Sequence, residues 1–152
     1  MLRLAASLLL VAILSACGQR EPLRIGFLGG LSGRVADLGE AGRNGAQIAI
    51  EEVNRAGGVN GRQVELIVRD DGQSTEKAVA AFNELIAAGV EAVIGPMTSA
   101  MAEVVLPAAQ SSGIVLVSPT VTAGSFFGRD DNLFLIMSST REEASLSAEY
   151  HY

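Results

Sequence analysis

A short apolar run that ends in a tight turn constrains this chain more than any other feature. Residues 91–94 are too few and too apolar for a surface helix, which predicts a buried strand. Gly95-Pro96 ends the strand, because proline fixes φ and has no N–H to donate. Ser99 then precedes a run over residues 100–111 and suits the N-cap of a helix there. Strand, turn and helix in this order indicate one unit of an α/β fold.

The same unit recurs along the chain. We predict strands at residues 23–30, 63–69, 91–94, 114–117 and 132–137. Helices are expected at about 40–56, from a cap at Ser74 or Thr75 to Gly89, at 100–111 and from 141 onward, with loops at 31–39 and 126–131. This order predicts an α/β fold with a doubly wound parallel sheet, Rossmann-like, in the strand order 2-1-3-4-5.

Apolar spacing identifies the inward faces of the first two helices. The first face is expected to consist of Ala46, Ala49, Ile50, Val53 and Ala56, and the second of Ala78, Phe82, Leu85 and Ile86. Pro107 lies within the third helix and is expected to kink it or restart it.

The first residues are expected to stand apart from the fold. Residues 1–3 are a short positive segment, and residues 4–14 are apolar but too few to span a bilayer. Leu14-Ser15-Ala16-Cys17-Gly18 resembles the lipobox of bacterial lipoproteins, and an ordinary signal peptide with an incidental cysteine is the alternative. The lipobox predicts a signal peptide over 1–16, lipid on Cys17, a tether over 17–22 and attachment to a membrane outside the cytoplasm.

Catalysis and cofactor binding have little support. The single histidine, His151, lies near the end of the chain, and Cys17 is the single cysteine, so a nucleophile–base pair, a metal site or a disulfide lacks its residues. Gly26, Gly29, Gly30 and Gly33 do not match the dinucleotide-binding spacing. Asp70-Asp71 could suggest a Mg²⁺ site, but we expect a solvated strand end and turn. We therefore expect no enzyme, cofactor or metal.

The charge of the chain argues against a nucleic-acid partner. The formal net charge is −6, and no basic run or basic-aromatic pattern occurs.

Hydroxyl side chains follow three of the predicted strands. Ser32 comes after the first, Ser99 after the third, and Thr120 and Thr122 after the fourth. The order 2-1-3-4-5 places the carboxyl ends of these strands side by side, where α/β sheets bind ligands. Hydroxyls and helix N–H groups suit a carboxylate and an ammonium group. Ordinary caps and turns are the alternative.

A set of motifs in order resembles the leucine/isoleucine/valine-binding protein family. They are Ser32-Gly33 with Gly39, Asn44-Gly45-Ala46, residues 50–61, Asp70-Asp71, Val93-Ile94-Gly95-Pro96 with Ser99, and residues 118–123. The resemblance covers roughly residues 23–139. It implies the type I periplasmic binding fold, an amino acid or amide as ligand, and a permease of an ABC importer as partner, in the periplasm or on the outer face of the cell membrane. A sensory domain of the same fold, or a non-functional truncated fragment, is the alternative.

The resemblance also implies the ligand-binding residues. Ser99, the backbone carbonyl of Thr120 and the hydroxyl of Thr122 would hold the ligand's carboxylate and ammonium groups. Ser32 lies in a loop that lines the cleft, and Leu38 stands where an aromatic residue is common. Family members have two lobes, so we expect residues 23–138 to be the amino-terminal lobe. Residues 139–152 would then be the truncated start of the crossover and second lobe.

Overall fold

The computed structural model describes residues 20–151. The elements in chain order are β1 (Leu23–Gly29), α1 (Ala36–Arg55), β2 (Val64–Asp70), α2 (Thr75–Ala87), β3 (Ala92–Ile94), α3 (Ser99–Ser112), β4 (Val115–Ser118), a 3₁₀ turn (Gly124–Phe126), β5 (Leu133–Leu135) and α4 (Thr140–His151). The predicted signal peptide and the lipidation at Cys17 lie outside the described residues. No helix within residues 20–151 is both long enough and apolar enough to cross a membrane.

The five strands form one parallel sheet in the order β2-β1-β3-β4-β5, which confirms the predicted fold class and order. The register pairs Gly29 with Asp70, Phe27 with Ile94, and Ile94 with Val117. The carboxyl ends of these strands therefore meet along one side of the sheet, which we call the carboxyl edge.

Two apolar clusters stabilise the sheet from helices packed against it. The larger cluster joins α2 and α3 to the strands, with Phe82, Leu85 and Val105 fully buried. The smaller cluster centres on Phe27, Ala46 and Met97, beneath α1. The predicted face of α2 is confirmed, since Ala78, Phe82 and Leu85 are buried and Ile86 is half-buried.

The inward face of α1 differs from the prediction. The helix begins at Ala36 rather than near 40 and buries Gly39, Ala46 and Ile50, whereas Ala49, Val53 and Ala56 are exposed. Asn54 continues the inward row four residues after Ile50. Its side-chain amide donates to the Val64 carbonyl at 2.8 Å, and its oxygen accepts from the Val64 N–H at 2.7 Å. A polar side chain that binds the strand backbone replaces the apolar residue the pattern required.

The structure corrects the start of α3 and narrows the prediction for Pro107. The helix begins at Ser99, and its N-cap is Thr98, so Ser99 is not the cap. The helix runs unbroken through Pro107 to Ser112, which excludes a restart at the proline, whereas a kink there stays a prediction. Proline has no N–H, so the carbonyl one turn earlier in the helix lacks its usual partner. Pro107 lies on the exposed side, where water can reach that carbonyl.

Candidate functional site

The candidate site lies on the carboxyl edge, in the segments that follow β1, β3 and β4. These three strands are neighbours in the sheet, so the segments carrying Ser32, Ser99 and Thr120 leave the sheet on the same side. The structure thus brings the predicted site residues to one edge. This is where open α/β sheets bind their ligands.

Hydrogen bonds join the segment after β3 to the segment after β4. The hydroxyl of Ser118, which is fully buried, donates to the Pro96 carbonyl at 2.7 Å. The Thr120 hydroxyl donates to the Met97 carbonyl, also at 2.7 Å. These bonds connect residues more than twenty positions apart and hold the two segments against each other. Ser118 is not among the predicted site residues, and its only signal in the sequence is a hydroxyl at the end of an apolar strand.

Ser99 occupies the first turn of α3 beside these segments. Its oxygen accepts a long hydrogen bond of 3.4 Å from the Ala123 N–H, so its own hydrogen remains available for donation. The Thr98 side chain makes no capping bond to the helix. The N-terminus of α3 therefore presents N–H groups, a partial positive charge and a hydroxyl donor, which together suit a carboxylate.

Thr120 and Thr122 are both half-buried in the segment after β4. The Thr122 carbonyl accepts from the Thr140 N–H at 3.1 Å, which ties this segment to the start of α4. The hydrogen of the Thr120 hydroxyl is committed to Met97, so this hydroxyl can only accept a bond from a ligand.

Ser32 and Asp70 are paired at the other end of the site. The Ser32 hydroxyl donates to Asp70 Oδ2 at 2.7 Å, and the backbone amides of Leu31 and Gly72 each donate to Asp70 Oδ1 at 2.8 Å. Burial alone would raise the pKa of Asp70, but these hydrogen bonds and the charge of Lys77 together hold it below its usual value.

Asp71 differs from its neighbour. It is 1% exposed, and its carboxylate accepts from the Gln73 N–H at 2.8 Å. Burial, helped by the charge of Asp70, raises the pKa of Asp71 against that hydrogen bond. The expectation of a solvated strand end and turn is confirmed for Asp70, which is exposed and organises the neighbouring loop, and is wrong for Asp71, which lies in the interior. No group of three or more potential metal ligands occurs within residues 20–151.

Leu38 lies in the first turns of α1, half-buried against the cluster of Phe27, Ala46 and Met97. It contributes to the packing beneath the loop after β1. One cavity of about 670 Å³ is lined by Phe127, Ser138, Arg141, Glu142, Ser145 and Leu146, and contains none of the predicted ligand-binding residues. Ser32 is exposed and Ser99, Thr120 and Thr122 are half-buried, so the candidate site lies on an open edge of the sheet.

Comparison with known proteins gives a consistent result. The family described as periplasmic binding protein matches residues 22–151. The Leu/Ile/Val-binding protein BraC3 of Rhizobium johnstonii is 33% identical over 129 residues, covering 84% of this chain and 35% of the relative. A leucine-, isoleucine-, valine-, threonine- and alanine-binding protein of Pseudomonas aeruginosa is 32% identical, covering 84% of this chain and 34% of the relative.

Solved structures show the same likeness. The branched-chain amino acid transporter substrate-binding protein LivJ of Streptococcus pneumoniae, in complex with isoleucine, is 34% identical with a TM-score of 0.74, covering 78% of this chain and 34% of that one. An ABC transporter substrate-binding protein of Desulfitobacterium hafniense, in complex with Leu, is 28% identical with a TM-score of 0.75. The match covers 86% of this chain and 38% of that one. The chain thus spans about a third of the length of the curated relatives it matches.

Proposed function

This chain belongs to the periplasmic binding protein family, and from that premise we propose that it forms the amino-terminal ligand-binding lobe of an extracytoplasmic substrate-binding protein of an ABC importer. The family consists of solute-binding proteins, so the chain is not an enzyme. The ligand in this proposal is an amino acid of the branched-chain type or an amide. The relatives of this chain are named for binding leucine, isoleucine and valine, which supports this class of ligand.

One observation carries the proposal. The Ser99 hydroxyl, with its hydrogen available, lies at the N-terminus of α3 beside the segment that contains Thr120 and Thr122. A carboxylate would accept hydrogen bonds from Ser99 and the helix N–H groups. An ammonium group would donate to the Thr120 carbonyl and the Thr122 hydroxyl. The two charged ends of an amino acid would then meet complementary groups on one edge.

The proposal extends to the rest of the protein. Residues 23–138 would form the lobe and residues 139–152 the start of the crossover to a second lobe, which would close over the ligand. The motif ending at Cys17 supports a lipid anchor in the periplasm or on the outer face of the cell membrane. An ABC permease in that membrane would receive the ligand.

Calorimetry with a panel of amino acids and amides tests the site. In a protein extended to the length of the relatives, we expect clear binding, weakened about tenfold or more by Ser99→Ala or Thr122→Val. Each variant removes one hydrogen bond to a charged group, which contributes about 1.5–3 kcal/mol. The chain alone should bind weakly or undetectably, because its ligand would lie on an open face where water competes.

Ser111→Ala is the matched control. Its hydroxyl lies in the same helix as Ser99 but donates to the Pro107 carbonyl at an exposed position, so affinity should not change. Unchanged affinity in both site variants would reduce Ser99 and Thr122 to structural residues. Tight binding by the chain alone would show that the site lies elsewhere.

A further inference from the structure

One peptide group in the candidate site is held at both of its ends. The carbonyl of Thr122 accepts from the Thr140 N–H at 3.1 Å, and the N–H of Ala123 donates to the Ser99 hydroxyl oxygen at 3.4 Å. This carbonyl and this N–H belong to the same peptide bond, which is planar and moves as one unit. The first residue of α3, Ser99, is therefore joined to the first residue of α4, Thr140, through a single rigid group.

The same peptide group directs the hydroxyl hydrogen of Ser99. One lone pair of the Ser99 oxygen faces the Ala123 N–H, so the hydrogen is directed elsewhere. That hydrogen is the one that the proposed function gives to the ligand carboxylate. The bond from Ala123 is long, so its strength depends on how closely the peptide group is held to Ser99. The bond from the Thr140 N–H holds the peptide group from its carbonyl side.

The start of α4 is itself fixed by a capping box, a reciprocal pair of bonds at the N-terminus of a helix. Ser139 is buried, and its N–H and its hydroxyl each donate to a Glu142 carboxylate oxygen at 2.8 Å. The Glu142 N–H donates back to the Ser139 oxygen at 3.2 Å. The two bonds from Ser139 hold the pKa of Glu142 below its usual value, so the accepting carboxylate is charged at neutral pH. The helix therefore presents the N–H of its first residue, Thr140, in a fixed direction.

We propose that Thr140 is a positioning residue of the ligand site, which acts on Ser99 through the peptide group between Thr122 and Ala123. This inference rests on the proposed function and adds to it a link between the site and α4. The Thr140 N–H holds the peptide group, the peptide group orients the Ser99 hydroxyl, and Ser99 donates to the ligand carboxylate. Because coupling between two sites is reciprocal, a bound ligand also steadies the first turn of α4.

Thr140→Pro tests this link by deleting one N–H group. Thr140 is the first residue of α4, a position where proline is well tolerated because the N–H has no partner inside the helix. The substitution therefore removes the bond to Thr122 and keeps the helix. Thr140→Ala keeps the N–H and removes only the side-chain hydroxyl, which lies 3.4 Å from the same carbonyl. Thr75→Pro is the matched control, since Thr75 is the first residue of α2, follows the cap Ser74, and comes after the strand at the sheet edge opposite β5.

Affinities for L-leucine, L-isoleucine and L-valine are measured by calorimetry in the protein extended to the length of the relatives. We expect Thr140→Pro to weaken binding about two- to tenfold, the effect of one hydrogen bond between neutral groups. Thr140→Ala and Thr75→Pro should bind as the wild type does. When Ser99→Ala is already present, Thr140→Pro should cause no further loss, because Thr140 acts through Ser99. Unchanged affinity in Thr140→Pro, or an equal loss with and without Ser99, would overturn the inference.

Amide hydrogen exchange in the ligand-free chain, measured by NMR, gives a second readout that needs no ligand. Exchange of the Ala123 N–H should become faster in Thr140→Pro and stay unchanged in Thr75→Pro. Ser99→Ala should in turn speed exchange of the Thr140 N–H. If neither exchange rate changes while the extended protein binds its ligand, this inference alone is overturned. If the extended wild-type protein binds no branched-chain amino acid, that part of the proposed function fails and this inference fails with it.

Discussion

At the scale of single residues, Ser118 is the hydroxyl that holds the two central segments of the site together. It is fully buried, donates to the Pro96 carbonyl at 2.7 Å and accepts from the Val121 N–H at 3.1 Å. Both backbone groups would lose this partner if the hydroxyl were removed. A buried polar group without a partner costs more than the net contribution of one hydrogen bond.

We therefore predict that Ser118→Ala lowers the free energy of unfolding by about 1–3 kcal/mol. Urea denaturation of the ligand-free chain measures this change. Ser112→Ala is the control, because Ser112 is exposed and donates to the Ala108 carbonyl of its own helix, so its effect should stay within about 0.5 kcal/mol. Equal effects of the two variants would show that the link to Pro96 contributes nothing specific.

At the scale of elements, the position of α1 depends on how closely its first turns approach the end of β1. Gly39 is buried, and a Cβ atom at this position would overlap the backbone carbonyl of Gly30. Gly45, six residues further along the same helix, is exposed and would have no atom within 4 Å of a Cβ. The two glycines share a helical environment and differ only in what faces them.

We predict that replacing glycine by alanine has opposite effects on the free energy of unfolding at these two positions. Gly45→Ala should raise the free energy of unfolding by about 0.5–1 kcal/mol, the difference in helix propensity. Gly39→Ala should lower it, because α1 must shift away from backbone atoms that cannot yield. Thermal or urea denaturation of both variants gives the answer. A stabilising Gly39→Ala would mean that α1 is not seated against Gly30.

At the scale of the whole molecule, the segment just before β1 is held at the end of the sheet opposite the candidate site. Arg62 donates to the carbonyls of Glu21 and Pro22 at 2.9 and 3.1 Å, which binds the tether near the amino end of β1. Arg62 also pairs with Glu91, just before β3. The chain thus enters the fold on the side away from the carboxyl edge.

Cys17→Ala should accordingly abolish lipid attachment without altering ligand binding. Incorporation of radiolabelled palmitate during expression measures the first effect, and calorimetry on the extended protein measures the second. Ser15→Ala, which keeps the cysteine and a small residue before it, is the control and should still be labelled. Equal labelling of wild type and Cys17→Ala would eliminate the proposed lipid anchor.

The fold class, the strand order and the membership of the family follow from the sequence by itself. Apolar runs, helical spacing and turn residues are local signals, and the larger core cluster built from Phe82, Leu85 and Leu116 follows them directly. Of the two predicted caps of α2, Ser74 and Thr75, the structure has Ser74, whose side chain accepts from the Lys77 N–H within the same first turn. Local chemistry also identified the hydroxyls that end the strands, and their roles toward a ligand stay a prediction.

Only the tertiary structure decided which polar groups meet. Asp70 and Ser32 are 38 positions apart, Ser118 and Pro96 are 22 apart, and Asn54 faces Val64 across the end of a helix. A periodic pattern in the sequence cannot predict these pairings. Each depends on which strands become neighbours and on how closely the loops that follow those strands approach each other. The same reason explains the burial of Asp71. These details depend on the backbone geometry of the assembled sheet. The order of residues alone does not determine them.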